Sequence, residues 1–183
     1  MTLVKEIQKF LGLKFEILKL KRRDFSEGSG IPYNNITSIM NGLRSNPQMH
    51  TILKIANYFD CSIDEVVGRS EYIPLLQVKR RFKDLSLDDI NNNLKKFLKD
   101  KVVKQDINFY ILGKEIGFNY SIHNFINGSR EQKNLNSQII VALADHFQMS
   151  LDEMVGRISP ARDTDNAKFP EQNFNSDPDL NNL

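Results

Sequence analysis

The segment Gly30-Ile31-Pro32-Tyr33-Asn34-Asn35-Ile36-Thr37-Ser38-Ile39-Met40-Asn41-Gly42 predicts a tight turn followed by a short helix. Gly30 suits the left-handed backbone conformation that reverses a chain after a helix, and Pro32 suits the first turn of the next helix because its φ is already helical. Ile36 and Ile39, three residues apart, give that helix a buried face. Its other faces are left to Tyr33, Asn34, Thr37, Ser38 and Asn41.

Residues on both sides of this segment extend the pattern. Phe25-Ser26 places a large apolar residue and a small one before the turn, which allows two helices to pack closely. After the helix come a proline, an Ile-Ala pair and a Ser-x-Asp-Glu sequence, at Pro47, Ile55-Ala56 and Ser62–Glu65. Taken in this order, the series resembles the lambda-repressor-like, Cro-type family of DNA-binding domains, also called the XRE family.

The resemblance implies a helix-turn-helix domain of five helices that binds double-stranded DNA sequence-specifically and regulates transcription, more often as a repressor than as an activator. The recognition helix, residues 32–41, would enter the major groove, where an amide such as that of Asn34 can pair with both N7 and N6 of adenine. The candidate base-reading residues are Tyr33, Asn34, Thr37 and Ser38. The candidate contacts to the DNA backbone are Lys21, Arg22, Asn41 and Arg44.

Apolar spacing predicts the other helices of this first domain. Ile7, Phe10, Leu11, Phe15 and Leu18 predict an amphipathic helix from Leu3 to about Leu18, and the basic residues from Lys21 open the next helix. A fourth helix is predicted from about Gln48 to Phe59, with Cys61 filling the core after it. Ser62 and Glu65 form a capping-box pattern for a last short helix that ends near Gly68.

A second series of the same kind follows. Ser86 and Asp89 offer its first helix start, and Ile90, Leu94, Phe97, Leu98 and Val102 predict the buried face of that helix. Its later members are Leu112-Gly113, Gly117-Phe118, Ile122, Asn127-Gly128, Leu143-Ala144 and Ser150–Glu153, and both series end alike, at Val67-Gly68-Arg69 and Val155-Gly156-Arg157. The fold class is therefore predicted as all-α with two tandem domains, residues 1–69 and 86–157, joined by a connector, residues 70–85.

The two predicted domains differ where DNA would be bound. The interval from Gly117 to Ile122 is one residue shorter than that from Gly30 to Ile36, which should shift the outer face of the second recognition helix. Asn108 and Phe109 stand in the places of Lys21 and Arg22. The second domain either binds DNA weakly or serves as a docking surface, and its candidate contacts are Asn119, Tyr120, Ser121, His123, Asn124 and Arg130.

The connector and the C-terminal end have distinct compositions. Residues 70–85 are too apolar for a free linker, so we expect them to pack on a domain or across a dimer interface. Lys79-Arg80-Arg81 would face solvent or a phosphate backbone. Residues 158–183, rich in Asp, Asn and Pro, predict a disordered acidic tail.

Basic charge is concentrated in the first half of the chain. Residues 1–70 hold ten basic and seven acidic side chains and residues 71–104 hold nine and five, whereas residues 105–157 hold four and six. A phosphate-binding surface is therefore expected in the first domain and the connector, although the net charge of the chain is only +2.

Composition argues against several classes of protein. The single cysteine excludes an internal disulfide and disfavours a cysteine-based metal site, and the longest apolar run, Ile139 to Ala144, is too short to cross a bilayer, so a cytoplasmic protein is expected. With three histidines and no glycine-rich phosphate loop, we expect no enzyme, cofactor or metal. Asp64-Glu65 and Asp152-Glu153 follow serine caps and are interpreted as helix-terminus stabilisers.

Two questions stay open from the sequence. Either the two domains of one chain reach successive grooves, or a homodimer joined through the second domains or the connectors places two first domains on DNA; the second arrangement is favoured because the first domain is the more basic one. The alternative function is a protein-interaction module, antitoxin-like or part of a phage-control complex, that holds a partner through the second domain or the connector.

Overall fold

The computed structural model describes residues 2–44, 46–72, 82–128 and 133–158. Within these ranges the regular structure is helical, and the predicted all-α class is confirmed. An N-terminal unit contains α1 (Leu3–Ile17), α2 (Arg22–Ser29), α3 (Tyr33–Met40), α4 (Met49–Tyr58) and α5 (Ile63–Val67), followed by one 3-10 turn, Ser70–Tyr72. A C-terminal unit contains α6 (Leu87–Gln105), α7 (Phe109–Glu115), α8 (Ser121–Ile126), α9 (Ser137–His146) and α10 (Leu151–Met154).

Side-chain caps start several of these helices, and those at Ser86 and Ser62 stand where the sequence predicts. Ser86 Oγ accepts a hydrogen bond from Asp89 N–H while the Asp89 carboxylate accepts one from Ser86 N–H, a complete capping box. The Ser62 hydroxyl caps α5 by accepting from Glu65 N–H at 3.0 Å. Asn136 caps α9 in the same way, through Ile139 N–H. Local chemistry alone therefore sets these boundaries.

An aromatic cluster occupies the core of the N-terminal unit. Phe25 of α2 is fully buried and packs in edge contact with Phe15 and Tyr58 and stacked on Phe59. Burying each such side chain contributes on the order of 2 kcal/mol. The core of the C-terminal unit is instead largely aliphatic, with Phe125 as its one fully buried aromatic ring among the described residues; its other fully buried side chains include Ile90, Leu94, Leu98, Leu112, Ile122 and Leu143. Cys61 is buried, as predicted for a core residue.

Two burial predictions from the sequence are wrong. Leu18 is 57% exposed, because α1 ends at Ile17 and Lys19, with φ of 50°, turns the chain away; Val4, the second residue of the helix, is buried instead. Ile158, assigned to the tail, is buried, and its N–H donates to the Asp152 carbonyl. The rest of the tail, residues 159–183, and most of the connector, residues 73–81, lie outside the described residues. The domain boundaries stay predictions.

Carboxylates at the starts of α5 and α10 hold the two units together. Asp64 accepts hydrogen bonds from the Ser150 hydroxyl at 2.7 Å and from Leu151 N–H at 2.9 Å, both at the start of α10. In return, Asp152 accepts from Ile63 N–H, at the start of α5, at 2.9 Å. Both residues do stabilise a helix terminus, as predicted, but Asp64 caps the helix of the opposite unit, and Asp152 does the same in return.

Two buried arginines complete this interface. Arg69 binds Asp64 and also reaches the Asp145 carboxylate at 2.7 Å and the Met149 carbonyl at 3.1 Å across the interface. Arg157 binds Asp152 at 2.8 Å and likewise reaches the Cys61 carbonyl at 2.8 Å and the Asn57 side-chain oxygen at 2.6 Å. Arg69 is 6% exposed and Arg157 is fully buried, so both charges depend on these partners.

Candidate nucleic-acid interface

The turn between α2 and α3 is fixed from several sides. Gly30, with φ of 64°, ends α2 in the left-handed conformation that the sequence predicts. The Ser26 hydroxyl donates to the Ile31 carbonyl at 2.7 Å, and Lys54 Nζ, from α4, donates to the Gly30 carbonyl at 2.9 Å. These contacts define the angle at which α3 leaves the turn.

Helix α3 is held by one buried face and by a contact at its C-terminal end. Ile36 and Ile39 are buried, as predicted. The Gln8 amide of α1 donates to the Ile39 carbonyl at 2.7 Å and to the Met40 carbonyl at 3.2 Å, carbonyls that the end of a helix leaves without intrahelical partners. The opposite side of α3 is thereby presented outward on a rigid support.

The predicted base-reading residues do not share one environment. Tyr33 is 49% exposed and Asn34 is also exposed at the start of α3, while Ser38 is half-buried one turn later. Thr37 is different: its hydroxyl oxygen is buried and forms no hydrogen bond with the described residues. In this conformation the Thr37 hydroxyl is turned into the protein, and a contact between Thr37 and a base stays a prediction.

Cationic side chains border the outer side of α3. Lys21 is the N-cap of α2 and Arg22 its first residue, as predicted. Lys21, Arg22 and Arg23 line an open groove together with Tyr33 and Met40 of α3. Free N–H groups at the first turn of α2 add to the attraction of this groove for an anion. The structure thus brings predicted backbone contacts and a predicted base-reading residue to one surface.

The loop after α3 carries further basic character. Asn41 is exposed and Arg44 half-buried. Burial lowers the pKa of His50 at the start of α4, and the positive charges of Lys54 and Arg44 lower it further. His50 is therefore neutral at pH 7, and the positive potential here comes from the lysine and the arginine.

The corresponding surface of the C-terminal unit differs. Helix α8 has six residues where α3 has eight, and its N-cap, Tyr120, has φ of 56°. Asn108 caps α7, and Phe109 and Tyr110 follow in the first turn. The Tyr110 and Tyr120 rings are in contact, 5.2 Å between centroids. Helix α8 therefore begins differently from α3, and no cation occupies the first turn of α7; the predicted shift of its outer face stays a prediction.

The candidates in this second surface are only partly presented. Asn119, Tyr120 and His123 are exposed, whereas Ser121 and Asn124 are half-buried. The His123 ring and the Asn127 side-chain amide form a hydrogen bond at 2.8 Å. Arg130 lies outside the described residues.

Sequence reasoning missed the roles of Arg69 and Arg157. The shared Val-Gly-Arg endings were noticed, but basic residues at the end of a domain were assigned no structural function. The available signal was the identical spacing from Asp64 to Arg69 and from Asp152 to Arg157.

Comparisons with known proteins bear directly on the N-terminal unit. A family model described as "Helix-turn-helix" matches residues 14–66, which run from α1 to α5. An uncharacterised HTH-type transcriptional regulator of Rickettsia prowazekii is 38% identical over 72 residues, which cover 78% of that protein and 38% of this chain. The chain belongs to the helix-turn-helix family. It is therefore a DNA-binding regulator of the Cro/XRE type, as the resemblance implied.

A second helix-turn-helix relative comes from Rickettsia conorii. This uncharacterised HTH-type transcriptional regulator is 39% identical over 72 residues, and the match spans 66% of its length. No solved structure matches the chain significantly. Because the matched family segment ends at residue 66, the interpretation of α6–α10 as a divergent second copy stays a prediction.

No helix in the described ranges is long and apolar enough to span a bilayer.

Proposed function

We propose that this helix-turn-helix protein is a sequence-specific transcriptional repressor that reads the major groove with the outer face of α3. One observation carries the proposal: Tyr33 of α3 lines a groove together with Lys21, Arg22 and Arg23, and the next residue, Asn34, is exposed. Polar side chains can then meet base edges while the cations neutralise the phosphates on the flank of the same groove. A role on chromosomal DNA also agrees with the predicted cytoplasmic location.

The residues divide by the part of DNA that they would contact. Asn34 can pair with N7 and N6 of adenine, a discrimination of about 1–3 kcal/mol, and Tyr33 and Ser38 can contact a thymine methyl or a single acceptor. Lys21, Arg22, Asn41 and Arg44 would hold the sugar-phosphate backbone. Such contacts set the register of α3 but carry no sequence information themselves.

Selection from pooled random duplex DNA at two salt concentrations tests this proposal with the full chain. We expect an enriched motif and affinity that falls steeply with salt. Asn34→Ala should relax the preference at one or two base pairs, whereas Arg22→Ala should weaken specific and random DNA alike and reduce the salt slope by about one unit.

Lys99→Ala is the matched control, because it removes an exposed lysine of α6. Equal weakening by Arg22→Ala and Lys99→Ala would contradict the assigned groove. If Asn34→Ala weakened specific and random DNA equally, base reading by Asn34 would be excluded.

A specific observation supports a second candidate function, protein binding by the C-terminal unit. Tyr110, Ile111 and Tyr120 are 43%, 52% and 58% exposed on the surface that corresponds to the cationic groove. Aromatic and aliphatic side chains there suit a protein partner better than phosphates. A stable protein complex without salt-sensitive DNA binding would favour this antitoxin-like or phage-control role.

A further inference from the structure

The interface between the two units is reciprocal at the level of single atoms. Asp64 caps α10 and Asp152 caps α5, and each unit's arginine binds its own aspartate and a carbonyl of the other unit. A contact in which the same positions meet on both sides is isologous, and such contacts relate their two halves by a two-fold axis. One chain therefore contains the kind of contact that normally joins two copies.

This contact covers the face of α5. Asp64 and Ile63 are fully buried there, and Arg69 is 6% exposed. A second copy of the chain can use this face only by displacing α10, together with the ion pair between Arg157 and Asp152. The intrachain arrangement thus competes with any homodimer joined through α5.

The two surfaces that this axis would present to DNA are unequal. The N-terminal unit offers an eight-residue α3 beside three cations. The C-terminal unit offers a six-residue α8 that begins after a left-handed Tyr120, beside Phe109 and Tyr110. Among the described residues, only the first surface combines outward polar side chains with a cluster of cations for the flanking phosphates.

We infer that a single chain takes the place of a homodimer on DNA, the C-terminal unit covering the pairing face of the N-terminal unit, and that the operator is consequently asymmetric. This inference rests on the proposed function. Base sequence is specified in the half-site under α3, whereas the half-site under α8 is contacted with little preference for its bases. Two equal half-sites, as a symmetric dimer requires, are not needed.

Sedimentation of the full chain, alone and on a selected duplex, tests the inference. We expect a 21.2 kDa monomer in free solution and one chain per duplex. Scrambling the half-site under α3 should lower affinity more than about a hundredfold, since each mismatch costs about 1–3 kcal/mol, and scrambling the other half less than about threefold. Two chains per duplex on a symmetric motif would overturn the inference and leave the proposed function intact.

Failure of the proposed function looks different. If no motif is enriched and binding is insensitive to salt, sequence-specific DNA binding and the asymmetric operator fall together. Sedimentation of the free chain still tests whether α10 covers the face of α5, because a stable dimer would show that α10 does not occupy it.

A substitution at the rim of the interface tests directly whether α10 covers the face of α5. Asp145, whose side chain is 56% exposed, accepts from Arg69. Asp145→Arg places a like charge beside that guanidinium, so amides of α5 and α10 should exchange faster and the chain should begin to dimerise with concentration. Asp100→Arg, the same charge change on the exposed side of α6, should stay monomeric. Faster exchange in Asp145→Arg without any dimer would overturn the view that α10 covers a pairing face.

Discussion

At the scale of single residues, burial determines the ionisation of the Cys61 thiol. Burial, and to a lesser extent the carboxylate of Glu65, raises the pKa of its thiol from 9.0 to about 12. The thiol is therefore protonated at neutral pH and behaves as a small core side chain rather than as a nucleophile.

Cys61 should make the fold sensitive to alkaline pH. The unfolded thiol ionises near pH 9 while the folded thiol keeps its proton to about pH 12, so its contribution to stability is complete below pH 9 and is lost as pH rises towards 12. Urea unfolding at pH 7.5 and pH 10 should show that the free energy of unfolding falls more for the wild type than for Cys61→Ala. This variant is the control for all other titrating groups. An equal fall in the two proteins would show that Cys61 is not the group responsible.

At the scale of elements, two glycines with opposite environments test the helix-turn-helix geometry. Gly12 lies inside α1 and a Cβ there meets no atom within 4 Å, so Gly12→Ala should stabilise the protein by about 0.5–1 kcal/mol. Gly30 ends α2 at φ of 64°, and Gly30→Ala should destabilise it by about 1–2 kcal/mol. Urea unfolding of both variants gives the comparison. If both variants were stabilised, the turn would be shown to tolerate an L side chain.

Most helices of the N-terminal unit could be placed from the sequence because their determinants are local. Lys21, Pro32 and Ser62 stand at predicted helix starts, and Gly30 and Gly68 at predicted ends. The sequence predicted a shift at the start of α8 but not its backbone conformation. Ile122 is buried, and it follows the turn glycine at an interval one residue shorter than Ile36 does, so the chain reaches the core through the left-handed Tyr120. The buried hydroxyl of Thr37 likewise depends on tertiary packing that helical spacing does not encode.

At the scale of the whole molecule, the sequence shows two similar series of residues but not how the units that contain them meet. The ending Val-Gly-Arg is visible twice, yet the partners of Arg69 and Arg157 include Asp145 and Asn57, at the far ends of α9 and α4. Such pairings follow from the relative placement of two complete units. The homodimer that the sequence favours stays a prediction, and the pairing of the two units within one chain could not be predicted from the sequence.

Pairing through buried charges should make the two units unfold together. Opening the interface would break the hydrogen bonds that Asp64, Asp152 and Arg157 make to the opposite unit, which costs about 1–3 kcal/mol for each buried group left unsatisfied and penalises any state with one unit folded. Leu112 is fully buried in α7 of the C-terminal unit, so Leu112→Ala should lower the free energy of unfolding by about 2–5 kcal/mol.

In hydrogen exchange of Leu112→Ala across a urea series, amides of α1–α5 should lose protection at the same lowered midpoint as those of α6–α10. Val103→Ala, at an 83% exposed site, should move neither midpoint. Loss of protection confined to α6–α10 would mean that the units fold independently, because a cooperative interface transmits the defect from one core to the other.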